Sequence, residues 1–411
     1  MKRLSVIYCG WGEQWTLGTL ADNGTDLLFE YSPEALRQGL QLSPRHLPLR
    51  AQAYGGFPAH LSRLPGLIAD ALPDGWGLML MDRLFRSRGR EASTLSPLNR
   101  LAFIGDRALG ALRFEPADTI ELGADDIELL AVAQATQAVV AGKDGKDGEA
   151  LRSLALMGGS PQGARPKVLV YVDESNDTVS TLAHAGAKPW LVKFQAGDEH
   201  KEVCAIEDLY AGLARDCGLE MPSTRYFDLD RKLAAFGTAR FDIEDGMRVP
   251  THTLAGALHA DFRVPSAVDY TTCLRATRLF TRDEREVQKA FERAVFNVLF
   301  NNRDDHCKNF SFRMDSTRHW KVSPAYDLTF SSGPGGEHQM DVCGEGRSIT
   351  RAKLLELCRT GGLNEAWGST VVDRITQVAG TFKQTATVHS IRKTTVQFMT
   401  SAIEANRKRM V

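Results

Sequence analysis

The sequence predicts an α+β protein: an N-terminal accessory unit, then a small mixed lobe, then a mostly helical C-terminal lobe. Three observations lead there. The chain has 411 residues, enough for two or three folded units at roughly 150 residues each. Up to Phe241, short β-rich runs recur between Gly and Asn-Gly turn signals. Beyond Thr281, apolar residues recur at helical steps instead.

Composition narrows the function. With 43% hydrophobic and 25% charged residues the chain can bury a core and is not a disordered polymer. Fifty Lys+Arg against 51 Asp+Glu leave a net charge of −1, which excludes a broadly basic nucleic-acid binder, so any polyanion contact must be local. No apolar run approaches the ~18 residues that span a bilayer, and the opening MKRLSVIYCGWGEQW reads as a strand rather than a signal peptide. Seven scattered cysteines with no C-x-x-C pair point to a reducing cytoplasm, without a disulfide framework or zinc knuckle, and none is a candidate nucleophile.

Taken in order, residues 6–8 and 27–31 read as strands, and residues 67–85 as helix interrupted at Pro73-Asp74-Gly75; together these make the accessory unit, 1–118. The small lobe, 119–245, begins with helical spacing over 125–140 and a charged glycine linker, Gly142-Lys143-Asp144-Gly145-Lys146-Asp147-Gly148. A glycine-rich loop at 158–163 follows, with β-runs at 167–172 and 190–194. Val203, Ile206, Tyr210 and Leu213 mark a helix that stops before Gly218, and strands are expected around Tyr226 and Phe241. In the C-terminal lobe, 246–411, a capping-box pattern from Thr281 to Glu284 opens a helix striped by Val287, Phe291, Val295 and Val298.

That helix runs into Asn302-Arg303-Asp304-Asp305-His306-Cys307-Lys308-Asn309-Phe310, where crowded polar side chains are costly unless solvated or engaged with a ligand. Asp304 precedes Asn309 by five residues, the Asp-x4-Asn spacing of the protein-kinase catalytic loop, in which the Asp takes the substrate hydroxyl proton and the Asn holds magnesium. A solvated loop after a helix gives the same two residues, and the spacing alone does not separate the readings. A second acid shifts the balance: Asp327 in Pro324-Ala325-Tyr326-Asp327-Leu328 stands eighteen residues on, beside an aromatic, like the Asp-Phe-Gly element whose Asp ligates magnesium. One carboxylate and one amide oxygen, with phosphate and water, suit a hard cation.

Lys193, late in the β-run 190–194, is placed to orient its ammonium toward nucleotide phosphates; an edge-strand surface lysine is the plainer alternative. Glu202 or Glu207, on the next helix, could pair with it. Residues 158–163 could bring backbone N–H groups to phosphates, with Arg165 and Lys167 just after, or serve as a surface loop. They are not a Walker A loop, because Ala164-Arg165 replace Lys-Ser/Thr, nor a G-x-S-x-G elbow, because Pro161 follows Ser160. A metal phosphohydrolase using Asp304, Asp305 and His306 lacks a second His/Asp pair and leaves Lys193 and Asp327 unused. His46, His252 and His389 read as surface or structural residues.

In this order the motifs resemble the HipA family of serine/threonine protein kinases, toxins of bacterial toxin–antitoxin modules. The resemblance spans nearly the whole chain: Leu72-Pro73-Asp74-Gly75-Trp76-Gly77, Gly110-Ala111-Leu112, Gly163-Ala164-Arg165-Pro166-Lys167, Lys193-Phe194, Arg240-Phe241-Asp242, the long Asn302-to-Phe310 element and Pro324-Ala325-Tyr326-Asp327-Leu328. It implies a kinase-like two-lobe fold and transfer of the ATP γ-phosphoryl group to a protein Ser/Thr. Asp304 would be the base, Asn309 and Asp327 the magnesium ligands, and His306 and Lys308 supports of the loop or phosphates. Gly163, Ala164, Arg165, Lys167 and Lys193 would line the nucleotide phosphates, and Ala239, Arg240 and Phe241 the adenine hinge. Ser160, seven residues before Lys167, would be the autophosphorylated serine whose charge expels the loop and switches the enzyme off, although Pro161 stiffens the loop there. The resemblance further implies an aminoacyl-tRNA synthetase as protein substrate, a small helix-turn-helix HipB-like antitoxin as partner, and DNA contact only through that partner. A small-molecule phosphotransferase, a non-catalytic antitoxin-binding module and the metal phosphohydrolase remain alternatives.

Overall fold

The computed structural model describes residues 1–117, 128–142 and 149–411. The expected division at 118/119, the start of the 125–140 helix and the body of the 142–148 linker lie outside the described residues. The fold is α+β, and packing divides the chain into two units: Met1–Cys204 with Ser223–His252, and Ala205–Pro222 with Thr253–Val411. No helix among the described residues is long and apolar enough to cross a membrane, and all seven cysteines are thiols.

Two sheets organise the first unit. The runs read as strands at 6–8 and 27–31 become β1 (Arg3–Tyr8) and β3 (Leu27–Tyr31), which join β2 (Trp15–Asp22) and β4 (Leu112–Glu115) in the order β3-β2-β1-β4. The second sheet holds β5 (Lys167–Asp173), β6 (Thr178–Ser180), β7 (Lys188–Phe194), β8 (Thr224–Asp228) and β9 (Ala234–Ala239), in the order β6-β5-β7-β9-β8. Its pairs β5/β7, β7/β9 and β8/β9 are all antiparallel. Val168, Val170, Val172, Trp190, Val192 and Phe194 alternate into its core, as a period of two requires when one face is buried. Phe241 is not a strand residue: β9 ends at Ala239, and Phe241 sits in the turn before the hairpin Ile243–Glu244/Met247–Arg248.

Helices dominate the second unit. The Val203–Leu213 spacing lies within the helix Glu202–Asp216, which carries the chain from the first unit into the second and stops at Gly218 in a left-handed conformation, φ +79°. The helix Glu284–Leu299 buries its predicted stripe, with Val287, Phe291 and Val295 at 0% exposure. Its cap differs from expectation. Thr281 is still the last residue of the preceding helix, Tyr270–Thr281, and its hydroxyl donates to Thr277 O at 2.8 Å. Arg282 at φ +54° ends that helix, so Asp283 becomes the N-cap and accepts from Arg285 N at 2.9 Å. Asp283→Ala is therefore expected to cost about 1 kcal/mol in denaturant unfolding; an unchanged unfolding midpoint would remove Asp283 as the cap.

Candidate functional site

The first unit places two lysines opposite one another. Register pairs Lys167 with Lys193 across β5 and β7, and directly opposed residues project to the same face. Both are buried, 4% and 7% exposed, where an ammonium is costly unless it is paired or hydrogen-bonded. Lys167 Nζ donates to Gln162 O at 2.5 Å, and Lys193 Nζ stands 5.8 Å from the centre of the Phe236 ring. Arg165 makes two bonds to the Glu199 carboxylate, 3.2 and 2.9 Å. Glu202 and Glu207 are both buried, on the helix that follows.

The glycine-rich loop leaves the helix Glu149–Gly158 and is seated on the Leu72–Gly77 motif. Gln162 Nε2 donates to Asp70 O (2.8 Å) and Leu72 O (3.3 Å), while Gly163 N donates to the Asp74 carboxylate. In return Trp76 N donates to Gly163 O at 3.1 Å, and Trp76 Nε1 to Lys167 O at 3.0 Å. Asp74 is the N-cap of the helix Gly75–Ser87, yet its side chain makes no capping hydrogen bond and accepts from the loop. Gly75, at φ +43°, has no room for a Cβ: one would lie 2.7 Å from Ala164 Cα and 2.8 Å from Gly163 O. Ser160 is 5% exposed, and its Oγ has no hydrogen-bond partner.

At the expected hinge, Ala239 N donates to Ser223 O (2.8 Å) and Arg240 N to Pro189 O (2.9 Å), so these two amides are committed within the sheet. The Arg240 guanidinium grips Asp242 at 2.9 and 2.8 Å, and Asp242 Oδ2 also accepts from Gly110 N at 2.8 Å. Burial pushes the Asp242 carboxyl up, but the Arg240 charge and these bonds outweigh it and hold the group below the usual range. Two motifs of the resemblance, Gly110-Ala111-Leu112 and Arg240-Phe241-Asp242, are thus one buried contact.

In the second unit the chain leaves the helix Glu284–Leu299 and turns through Asn301 at φ +54° into the polar loop. Asp304 has a half-exposed side chain, 50%, whose Oδ1 accepts from Gln339 Nε2 at 3.0 Å and lies 3.9 Å from His306 Nε2. Asn309 Nδ2 donates to Asp304 O at 2.8 Å, which fixes the orientation of the amide; Oδ1 is the atom Asn309 can offer a cation. Tyr326 Oη donates to Lys308 O at 2.7 Å and ties the Asp304–Asn309 loop to the segment bearing Asp327. Asp327 has φ +53°, a left-handed conformation uncommon outside glycine and found at turns and functional sites. Phe262 lies 4.3 Å from Lys308 Nζ and 5.3 Å from the His306 ring, while buried His306 Nδ1 has no partner.

Sequence reasoning missed the support beneath this loop. Asp305, at 0% exposure, accepts from Tyr270 Oη (2.6 Å) and Gln339 N (2.8 Å) and bonds His338 Nδ1 (2.7 Å). Asn297 Nδ2 donates to Tyr270 Oη at 3.0 Å, and Asn302 Nδ2 to Asn297 Oδ1 at 2.9 Å, extending the network into the helix. Burial and, after it, the Asp305 charge push the Tyr270 phenol well up, so it stays a donor. Only the adjacency of Asp304 and Asp305 was visible in sequence, and adjacency does not say which acid is buried. His252, read from sequence as a surface or structural residue, is buried between Ser43 Oγ (3.1 Å) and Asp70 Oδ2 (2.6 Å).

The model of the HipA-like C-terminal domain matches residues 159–389, and that of the HipA N-terminal domain matches residues 11–115. No curated protein matches the chain. Among solved structures, a chain of the complex of HipA, HipB and operator DNA from the Shewanella oneidensis MR-1 toxin–antitoxin system is similar with a TM-score of 0.71 at 19% identity, covering 98% of this chain and 97% of that one. The Helicobacter pylori proinflammatory kinase CtkA aligns with a TM-score of 0.39 at 11% identity, over 56% of this chain and 86% of that one. The N-terminal match contains the Leu72–Gly77 seat, and the C-terminal match contains both the loop seated on it and the Asp304–Asp327 constellation. With more than half of its length inside the C-terminal family model alone, this chain belongs to the HipA family.

Proposed function

We propose that this protein is a HipA-type toxin kinase that transfers the γ-phosphoryl group of ATP to a serine or threonine of a protein, in the cytoplasm and with magnesium. The observation that carries the reading is the second unit's constellation: a half-exposed Asp304, an Asn309 whose amide is turned to leave its oxygen available, and Asp327 tied to the same loop through Tyr326. Asp304 takes the proton of the substrate hydroxyl as its oxygen bonds the γ-phosphorus and the bond to the β-phosphate oxygen breaks, releasing ADP. Asn309 and Asp327 would hold magnesium, which when bound neutralises phosphate charge. The buried Lys167 and Lys193 meet the phosphates, with the backbone of Gly163, Ala164 and Arg165, while His306 and Lys308 shape the loop. Ala239, Arg240 and Phe241 border the adenine.

Regulation and partners follow the family. Phosphate on Ser160 would add about −1.5 to −2 charges at a buried position, and the loop would have to leave its seat. A HipB-like helix-turn-helix antitoxin would hold the toxin and supply its contact with DNA; an aminoacyl-tRNA synthetase is the expected protein substrate. The test is incubation with labelled ATP, magnesium and cell lysate, followed by mapping of every labelled site. Label on a lysate protein and on Ser160 is expected. ATP consumption without labelled protein would instead indicate a small-molecule phosphotransferase, and no ATP turnover a binding module. Phosphate release from substrates without ATP would indicate a phosphohydrolase, and self-label elsewhere would remove Ser160 as the switch.

A further inference from the structure

Resting on the kinase reading, we propose that Gln339 is a positioning residue for phosphoryl transfer: its side-chain amide fixes the carboxylate of Asp304 in the plane from which it takes the substrate proton. Asp304 is half exposed, and an exposed carboxylate on a loop samples several rotamers. Gln339 Nε2 donates to Asp304 Oδ1 at 3.0 Å. A carboxylate only accepts, so the NH2 side of the amide must face it and the orientation of Gln339 is determined.

Gln339 is itself held at both of its backbone polar groups. Its N–H donates to Asp305 Oδ1 at 2.8 Å, and its carbonyl accepts from Ser266 N at 2.8 Å. Its neighbours His338 and Met340 are buried, and His338 bonds Asp305 Oδ2 at 2.7 Å through Nδ1 and Gly346 O at 2.8 Å through its N–H. Residues 338–339 therefore grasp both adjacent acids at once, Asp305 through backbone and imidazole and Asp304 through the amide. The two acids divide the work: the buried one anchors the segment, and the half-exposed one is aimed by it. A base aimed before the substrate arrives needs no reorganisation at the reaction step.

The test uses Gln339→Met, which keeps the length and removes the donor, and Gln339→Glu, which faces Asp304 with a second carboxylate. Each is measured in the full chain, in wild-type and Asp304→Asn backgrounds. Gln339→Met is expected to lower kcat about 10-fold, the scale of one hydrogen bond to a charged group, with KM for ATP and the unfolding midpoint nearly unchanged. Gln339→Glu should lose more. In the Asp304→Asn background Gln339→Met should change the residual rate by less than about 2-fold, because coupled residues are not additive. Wild-type kcat in Gln339→Met, or the same 10-fold loss without the Asp304 carboxylate, or a loss that tracks unfolding, overturns the assignment while leaving the kinase reading intact. No phosphoryl transfer by the wild-type protein overturns both.

Discussion

Asp304→Asn is expected to lower phosphoryl transfer at least about 100-fold in a protein that unfolds like wild type, and Asp305→Ala to lose about 3–5 kcal/mol of stability. The two side chains are neighbours in sequence, and their environments make the failures different in kind. Asparagine at 304 keeps an oxygen for the Gln339 amide, and the half-exposed site tolerates the loss of charge, so only the proton-accepting role is removed. Alanine at 305 leaves the Tyr270 hydroxyl, the Gln339 N–H and the His338 Nδ1 contact without their acceptor in a site with 0% exposure. Each buried group left unsatisfied costs about 1–3 kcal/mol. Denaturant unfolding beside a phosphoryl-transfer assay reads both. A stable Asp305→Ala, or an Asp304→Asn of wild-type rate, would mean that the acids have the opposite roles or none.

The same pair marks the limit of sequence reading. Periodicity finds the helix Glu284–Leu299 because its apolar stripe repeats along one element, and β-rich composition finds β5 and β7 for the same local reason. Spacing finds Asp304, Asn309 and Asp327 because all three lie within one short stretch. What remained hidden is non-local. Gln339 and Tyr270 reach the loop from 35 residues away in each direction: Gln339 bonds Asp304, and Tyr270 bonds Asp305. The register that sets Lys167 opposite Lys193 is a property of the sheet, not of either strand. Even the misplaced cap has this character, since Thr281 fits the local pattern and is excluded only because Arg282 stops the preceding helix one residue later.

Gly75→Ala is expected to weaken ATP binding at least about 10-fold, although Gly75 lies far in sequence from every residue assigned to the nucleotide. Its φ of +43° disfavours any side chain, but so does the +96° of Gly24, and the two should fail differently. At Gly24 a Cβ would meet nothing within 4 Å; alanine there strains its own turn and leaves binding unchanged. At Gly75 the Cβ would sit 2.7 Å from Ala164 Cα and 2.8 Å from Gly163 O, and a backbone cannot swing aside as the end of a side chain can. The loop must lift, and with it go Gly163 N from Asp74, Trp76 N from Gly163 O and the Gln162 bonds to Asp70 O and Leu72 O. Lys167 is bonded to Gln162 O, so its ammonium shifts with the loop and the paired lysines lose their placement. Calorimetric titration of ATP in the Asp304→Asn background, where turnover is suppressed, compares the two alanines directly. Equal affinities in Gly75→Ala and Gly24→Ala would show that the seat on Leu72–Gly77 does not govern the nucleotide loop.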